Sequence, residues 1–299
     1  MSRSSRENSH DERLESSSVS PLRRDIKAGY PSHSAQRAVA ENRDDETPDD
    51  QIIDRALERE HSHFLNQSDI KTLTDIGTFR ALEFNDLAHY RYSGDPTDAR
   101  KHLGKLCRAG LVRSRISYPE RTIYLTLTPV GHRLLAANRD RENPKQKLYH
   151  GFVKTREARH DAALYRLCSQ AVGRIEHTGG RVQRVILDFE LKQSINRKLA
   201  KLNSLSRAEQ VHERRRIAQE HGLRVVHGKI PLPDLRLEYE GPDQQLAKVD
   251  LELVTEHYHR GNLIAKAKAG FAMYAFAEDA ARLRPAMQDP EIMQDILSL

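Results

Sequence analysis

Tryptophan is absent from the 299 residues, aromatic residues make up only 6%, and cysteine occurs twice, as Cys107 and Cys168. Two isolated cysteines in no paired ligand spacing imply neither a disulfide framework nor a cysteine-based zinc site, and they suit a reducing cytoplasm. Long apolar runs are also missing. Nothing approaches the roughly 20 residues that cross a bilayer, and the N-terminus is polar where a signal peptide carries its apolar stretch, so neither membrane insertion nor secretion is expected. No glycine-rich phosphate loop and no glycine elbow of a Ser/His/Asp hydrolase occurs. With 37% hydrophobic residues and so few rings, the cores must be built from Leu, Ile, Val and Ala.

Charge, by contrast, is plentiful. Lys plus Arg number 49 against 43 Asp plus Glu, giving +6 and a pI near 9.3, which suits an anionic partner without naming it. The length fits two folded units and a tail. Residues 1–50 are rich in Ser, Arg, Asp and Glu, too polar to offset the entropy of ordering, and are expected to be a disordered tail. Arg23, Arg24 and Lys27 read as charges of that tail. Ile52, Ile53, Ala56, Leu57 and Phe64 are spaced for a lead-in helix opening a first domain over residues 51–137. A charged, Pro- and Asn-containing linker is expected over residues 138–149, followed by a second domain over 150–299.

Within the first domain, Leu73, Ile76, Phe79 and Leu82 recur every third residue and predict one helix. Asn85 is expected to cap a second helix beside Phe84. Asp95-Pro96 predicts the start of a third, with Asp95 as N-cap and Pro96 at the first position, ending at Gly110. Ala99, Leu103 and Leu106 share one face of it; Lys101, Lys105 and Arg108 share roughly the opposite one. The segments 112–117 and 122–127 alternate as a hairpin around Tyr118-Pro119-Glu120-Arg121, and Thr128-Pro129 begins a closing helix. This order resembles the winged helix-turn-helix domains of bacterial regulators over residues 72–137. In that arrangement Thr97, Arg100 and Lys101 are placed to reach base edges, and Lys105, Arg108, Arg113, Arg115 and Arg121 to reach phosphates of double-stranded DNA.

The second domain reads as mixed α/β. A helix is predicted over 160–175, a strand over 182–189, exposed charged helices over 191–222, and strands at 225–230, 235–239 and 248–255. A long Ala-rich helix is predicted over 262–281. Alternation brings Asp250 and Glu252 to one face, and Asp234 can approach them if the two strands pair. Three such acids would suit magnesium, which takes oxygen ligands and keeps waters. The bland alternative is the solvent face of an edge strand. Glu190, in Glu190-Leu191-Lys192, is either a fourth acid or a helix-start surface pair, and His257 and His259 read as surface histidines.

Pro233-Asp234, the hairpin, Asp250-Leu251-Glu252, and Lys266 and Lys268 on the way to Phe271 and Tyr274 resemble the replication-relaxation family of bacterial mobile elements. That family places a winged helix ahead of a PD-(D/E)xK-like domain. The resemblance implies an α+β fold whose second domain is restriction-endonuclease-like, with Asp234 and Glu252 as the paired acids. The catalytic lysine expected two residues after the glutamate is replaced by Val254, leaving Lys266 or Lys268, with Lys268 the favoured candidate, to complete the site. It further implies a DNA-binding accessory protein of a plasmid or mobile element, acting in replication or DNA relaxation, with a nuclease-like domain that has become degenerate. An active magnesium-dependent endonuclease and a winged-helix transcriptional regulator are the alternatives, the latter expected to be a homodimer.

Overall fold

A computed structural model describes residues 65–138, 145–152, 155–255, 258–276 and 296–298. The expected tail and lead-in helix lie outside these residues. The fold is α+β, with eight α-helices and two sheets among the described residues. No described helix is long and apolar enough to cross a membrane.

The chain begins with α1 (Gln67–Thr78), entered through a capping box in which Asn66 and Asp69 exchange side-chain and backbone hydrogen bonds. The three-residue apolar spacing was expected to continue this helix through Leu82. Instead Phe79 ends it in extended conformation, and Leu82 lies in a two-residue strand β1 (Leu82–Glu83) paired with Tyr124 and Leu125. Helix α2 (Phe84–Arg91) is flanked by Glu83 rather than capped by Asn85, which lies inside it. Helix α3 (Pro96–Arg108) begins as expected, with Asp95 accepting from the backbone of Thr97 and Asp98. It stops before Gly110, whose φ of 70° is cheap only for glycine.

The hairpin strands β2 (Val112–Ser117) and β3 (Thr122–Leu127) match the expected bounds, and β1 completes a β1–β3–β2 antiparallel sheet. Helix α4 (Pro129–Asn138) follows. It packs so closely that a Cβ on Gly131 would stand 2.0 Å from the Leu111 carbonyl oxygen.

The predicted linker is partly ordered. Tyr149 donates to the Gly77 carbonyl, and the buried Gln146 side chain exchanges hydrogen bonds with the Val185 backbone on the next sheet. Helix α5 (Thr155–His177) docks on the preceding helices through Arg166, which forks onto Asp86 at 3.0 and 3.1 Å, and through the Arg80–Glu157 pair. One continuous core runs from Leu73 through Leu167 to Leu251 and Tyr274. The two predicted domains therefore share buried apolar contacts.

Strand β4 (Arg181–Leu187) leads to α6 (Asp188–Leu199), a 3-10 turn (Ala200–Ser204) and α7 (Arg207–Glu220). The expected strand at 225–230 is only an isolated Val226–Lys229 bridge. Strands β5 (Leu235–Glu240) and β6 (Leu246–Val254) form the expected hairpin. Helix α8 (Arg260–Ala269) then crosses over to β7 (Ala272–Ala275), parallel to β6, with β8 (Ile296–Ser298) beyond it. The predicted long helix is corrected here. Gly270, at φ 88°, closes α8, and Ala272-Met273-Tyr274-Ala275 becomes a buried strand. Alanine content could not separate the two, because a strand buried on both faces carries no alternation.

Candidate functional site

The β5–β6 register places Leu235 opposite Leu251 and Arg236 opposite Asp250. Asp234, one residue before β5, therefore faces Glu252. The backbone N–H of Asp234 donates to Glu252 Oε2 at 3.2 Å, and the N–H of Leu253 donates to Asp234 Oδ2 at 2.9 Å. Two carboxylates are thus held side by side through each other's main chain. Glu252 is fully buried, and the Asp234 side chain is 16% exposed, which opens the pair to solvent on one side.

Three further side chains close on this pair. Lys266 of α8 brings its ammonium to 2.6 Å from Glu252 Oε1 and also donates to the Leu232 carbonyl. The Tyr258 hydroxyl donates to the same Glu252 oxygen. His160 of α5 stands between two acids, 3.6 Å from Asp161 and 3.8 Å from Asp234.

Acidity follows from this geometry. Burial, with the Asp234 charge adding to it, pushes the Glu252 carboxyl up to about 7 despite Lys266 and Tyr258. Burial likewise raises Asp188 at the start of α6, again with Asp234 adding to it. Burial alone would lower His160, but Asp161 and Asp234 overcome it and hold the imidazole up at about 10, so it is cationic near neutrality.

Asp250, expected to complete the acid triad, is instead gripped at both oxygens by Arg236, at 2.6 and 2.9 Å. Arg236 also donates to the His221 carbonyl, so Asp250 serves a structural pair beside the site. The lysine at the acids is Lys266, not the expected Lys268, which is exposed. On a helix two residues shift the azimuth by about 200°, so only one of these lysines can face the sheet. Glu190 pairs with Arg184. His259 is exposed just ahead of α8, and His257 lies outside the described residues.

Among the described residues no group of three or more His, Cys, Asp or Glu is arranged to hold a metal. Magnesium asks for less: one or two carboxylates, with water completing its shell. The Asp234–Glu252 pair fits that demand, because two like charges forced together in a buried setting are what a small hard cation relieves. Such an ion would supply charge to a phosphodiester oxygen and lower the acidity constant of bound water.

The predicted nucleic-acid residues occupy another part of the molecule. Thr97, Arg100, Lys101, Lys105, Arg108, Arg113, Arg115 and Arg121 are all exposed. Their cations are not equally available. Lys105 is committed to the buried Asp69 at 3.1 Å, Arg100 lies over the Phe84 ring, and Arg115 lies 4.5 Å over Phe152. Lys101, Arg108, Arg113 and Arg121 make no ion pair among the described residues.

Beneath α3 runs a polar chain that the sequence did not suggest. Thr72 Oγ1 meets Tyr92 Oη, which meets His102 Nδ1, while His102 Nε2 donates to Asp69 at 2.7 Å. Its members lie 20 to 33 residues apart, beyond any local pattern. His160, Asp188 and Tyr258 were missed for the same reason. No protein-family model, curated protein or solved structure matches the chain.

Proposed function

We propose that this chain binds duplex DNA through residues 72–137, acting as a winged helix-turn-helix, and carries a PD-(D/E)xK-like phosphodiester site at Asp234, Glu252 and Lys266. In that reading α3 enters the major groove and the β2–β3 hairpin rests on flanking phosphates. The second half is supported by its element order: a helix, a three-stranded antiparallel meander, a crossover helix and a parallel strand, with the paired acids at the middle of the sheet. The single observation that carries it is the 2.6 Å contact of Lys266 with Glu252 beside Asp234. It returns to the acids, from α8, the cation that Val254 cannot supply.

The roles divide accordingly. Asp234 and Glu252 would hold magnesium, and Lys266 would balance charge on a non-bridging phosphate oxygen. The biological setting, an accessory role in replication or relaxation of a plasmid or mobile element, rests on the family resemblance.

The test is duplex retention measured alongside magnesium-dependent nicking of supercoiled plasmid. Asp234→Ala and Glu252→Ala are expected to abolish nicking and leave retention within about twofold. Nicking by both variants at the wild-type rate would end the enzymatic reading. If the wild type also never nicks, a degenerate site remains. A fragment spanning residues 65–138 that fails to retain duplex even in dilute buffer would end the DNA-binding reading.

A further inference from the structure

Residues 191–230 hold ten of the 49 Lys and Arg but only three of the 43 Asp and Glu, a net +7 against +6 for the whole chain. The rest of the protein therefore nets −1, and the excess positive charge lies in the helical segment inserted between β4 and β5. All three acids of that segment are engaged. Glu209 caps Ser206, Glu213 accepts from Arg216, and Glu220 accepts from Arg216 and Lys198. Arg197, Lys201, Arg207, Arg215, Arg224 and Lys229 are exposed and make no ion pair among the described residues.

The segment is anchored firmly. Ile195, Leu202, Ile217 and Leu223 form a small core with Phe271, and Leu232 and Ala269 pack against it. Leu232 also accepts from Lys266, so the insert, α8 and the acid pair form one packed unit. Unbalanced like charge raises the energy of the free protein, a cost relieved by an anionic occupant.

The shape and chemistry of the surface select that occupant. Val211 is the insert's sole large exposed apolar residue, too little for a bilayer-facing stripe. The 14 residues of α7 extend about 21 Å, the length of about six base pairs of duplex and a dozen phosphates. Arginine, which predominates, suits phosphate through its planar fork of donors.

We infer that the helical insert between β4 and β5 is a second phosphate-backbone surface, separate from α3 and the β2–β3 hairpin, that holds duplex DNA beside the acid pair. The binding stands on charge placement alone. Only its purpose, presenting a phosphodiester to Asp234 and Glu252, rests on the reading above.

The test uses the full chain in magnesium-free buffer with a fluorescent duplex of about 30 base pairs, titrated between about 50 and 200 mM salt. The quadruple variant R197Q/K201Q/R207Q/R215Q is expected to bind roughly tenfold more weakly. Its log-affinity against log-salt slope should flatten by about two to three, at about 0.9 per lost phosphate contact. An unchanged slope in a folded quadruple variant overturns the inference. If that variant fails to fold, the four single changes decide. At least two should flatten the slope by about 0.9, and no change in any of them overturns it equally. Polyglutamate tests an acidic protein as the alternative occupant, and binding it as tightly as duplex at equal salt overturns the assignment to nucleic acid. Asp234→Ala should leave this slope untouched whatever it does to nicking, which keeps the two readings separable.

Discussion

Asp69 and Glu252 are both sealed from solvent and each sits beside one lysine, yet their acidities move in opposite directions. Burial raises both. At Asp69 it is outweighed by three donors, the Asn66 backbone, His102 and Lys105, and the carboxyl ends below its ordinary value. Glu252 also has three donors, the Asp234 backbone, Tyr258 and Lys266, yet it ends near 7. The difference is the second carboxylate opposite it. A cluster of donors around one acid is what stability alone produces; two acids brought together against their repulsion give up stability, which marks a site held for use.

Removing Asp69 should have the largest effect. Asp69→Ala takes away half of the capping box and leaves His102 and Lys105 facing an empty buried position, at a cost of about 3–5 kcal/mol in chemical denaturation near neutral pH. Because the native value lies below the ordinary 3.8, the stabilisation is fully present above that value. It is lost as pH falls through the native one. The gap between wild type and variant should therefore narrow only below about pH 4. A gap that stays constant in acid would show that Asp69 contributes by shape and not by charge.

Much of this contrast was hidden in the sequence, for identifiable reasons. Elements with strict local signals were legible to the residue: the Asp95-Pro96 start of α3, and both strands of the hairpin around Tyr118-Pro119. So was the approach of Asp234 to Glu252, since a β-hairpin fixes its own register. What failed was decided by long-range packing. Leu82 looked helical because strand β3, forty residues on, was not considered as its partner. Ala272 to Ala275 looked helical because nothing local shows that Leu251 and Leu253 lie alongside. Asp250 looked like a ligand because the pattern carries faces but not partners, and Arg236 stood directly across from it.

Magnesium sharpens the comparison next. An ion that binds the native pair and not the unfolded chain stabilises by RT ln(1 + [L]/Kd), about 1.4 kcal/mol at ten times Kd. For a domain of this size that is a rise in melting temperature of about 3 °C. The rise should vanish in Asp234→Asn and Glu252→Gln and persist in a variant carrying Asp250→Asn with Arg236→Gln, whose pair stands apart from the site. A rise that survives both Asp234→Asn and Glu252→Gln would move the ion elsewhere.

The smallest effect is the most discriminating. Glu252→Gln removes a buried charge, and with it both the burial penalty and the repulsion from Asp234, while Lys266 keeps the Leu232 carbonyl as an acceptor. The net cost should be under about 1 kcal/mol, far below that at Asp69. Its sign should depend on pH. With a native value raised to about 7 from 4.5, the unfolded chain sheds its proton first, so wild type loses stability as pH rises between those values. Denaturant melts at pH 5 and pH 8 should therefore show Glu252→Gln gaining on wild type at the higher pH. A variant that instead falls further behind at pH 8 would mean that Lys266 outweighs Asp234, making the pair an ordinary internal salt bridge.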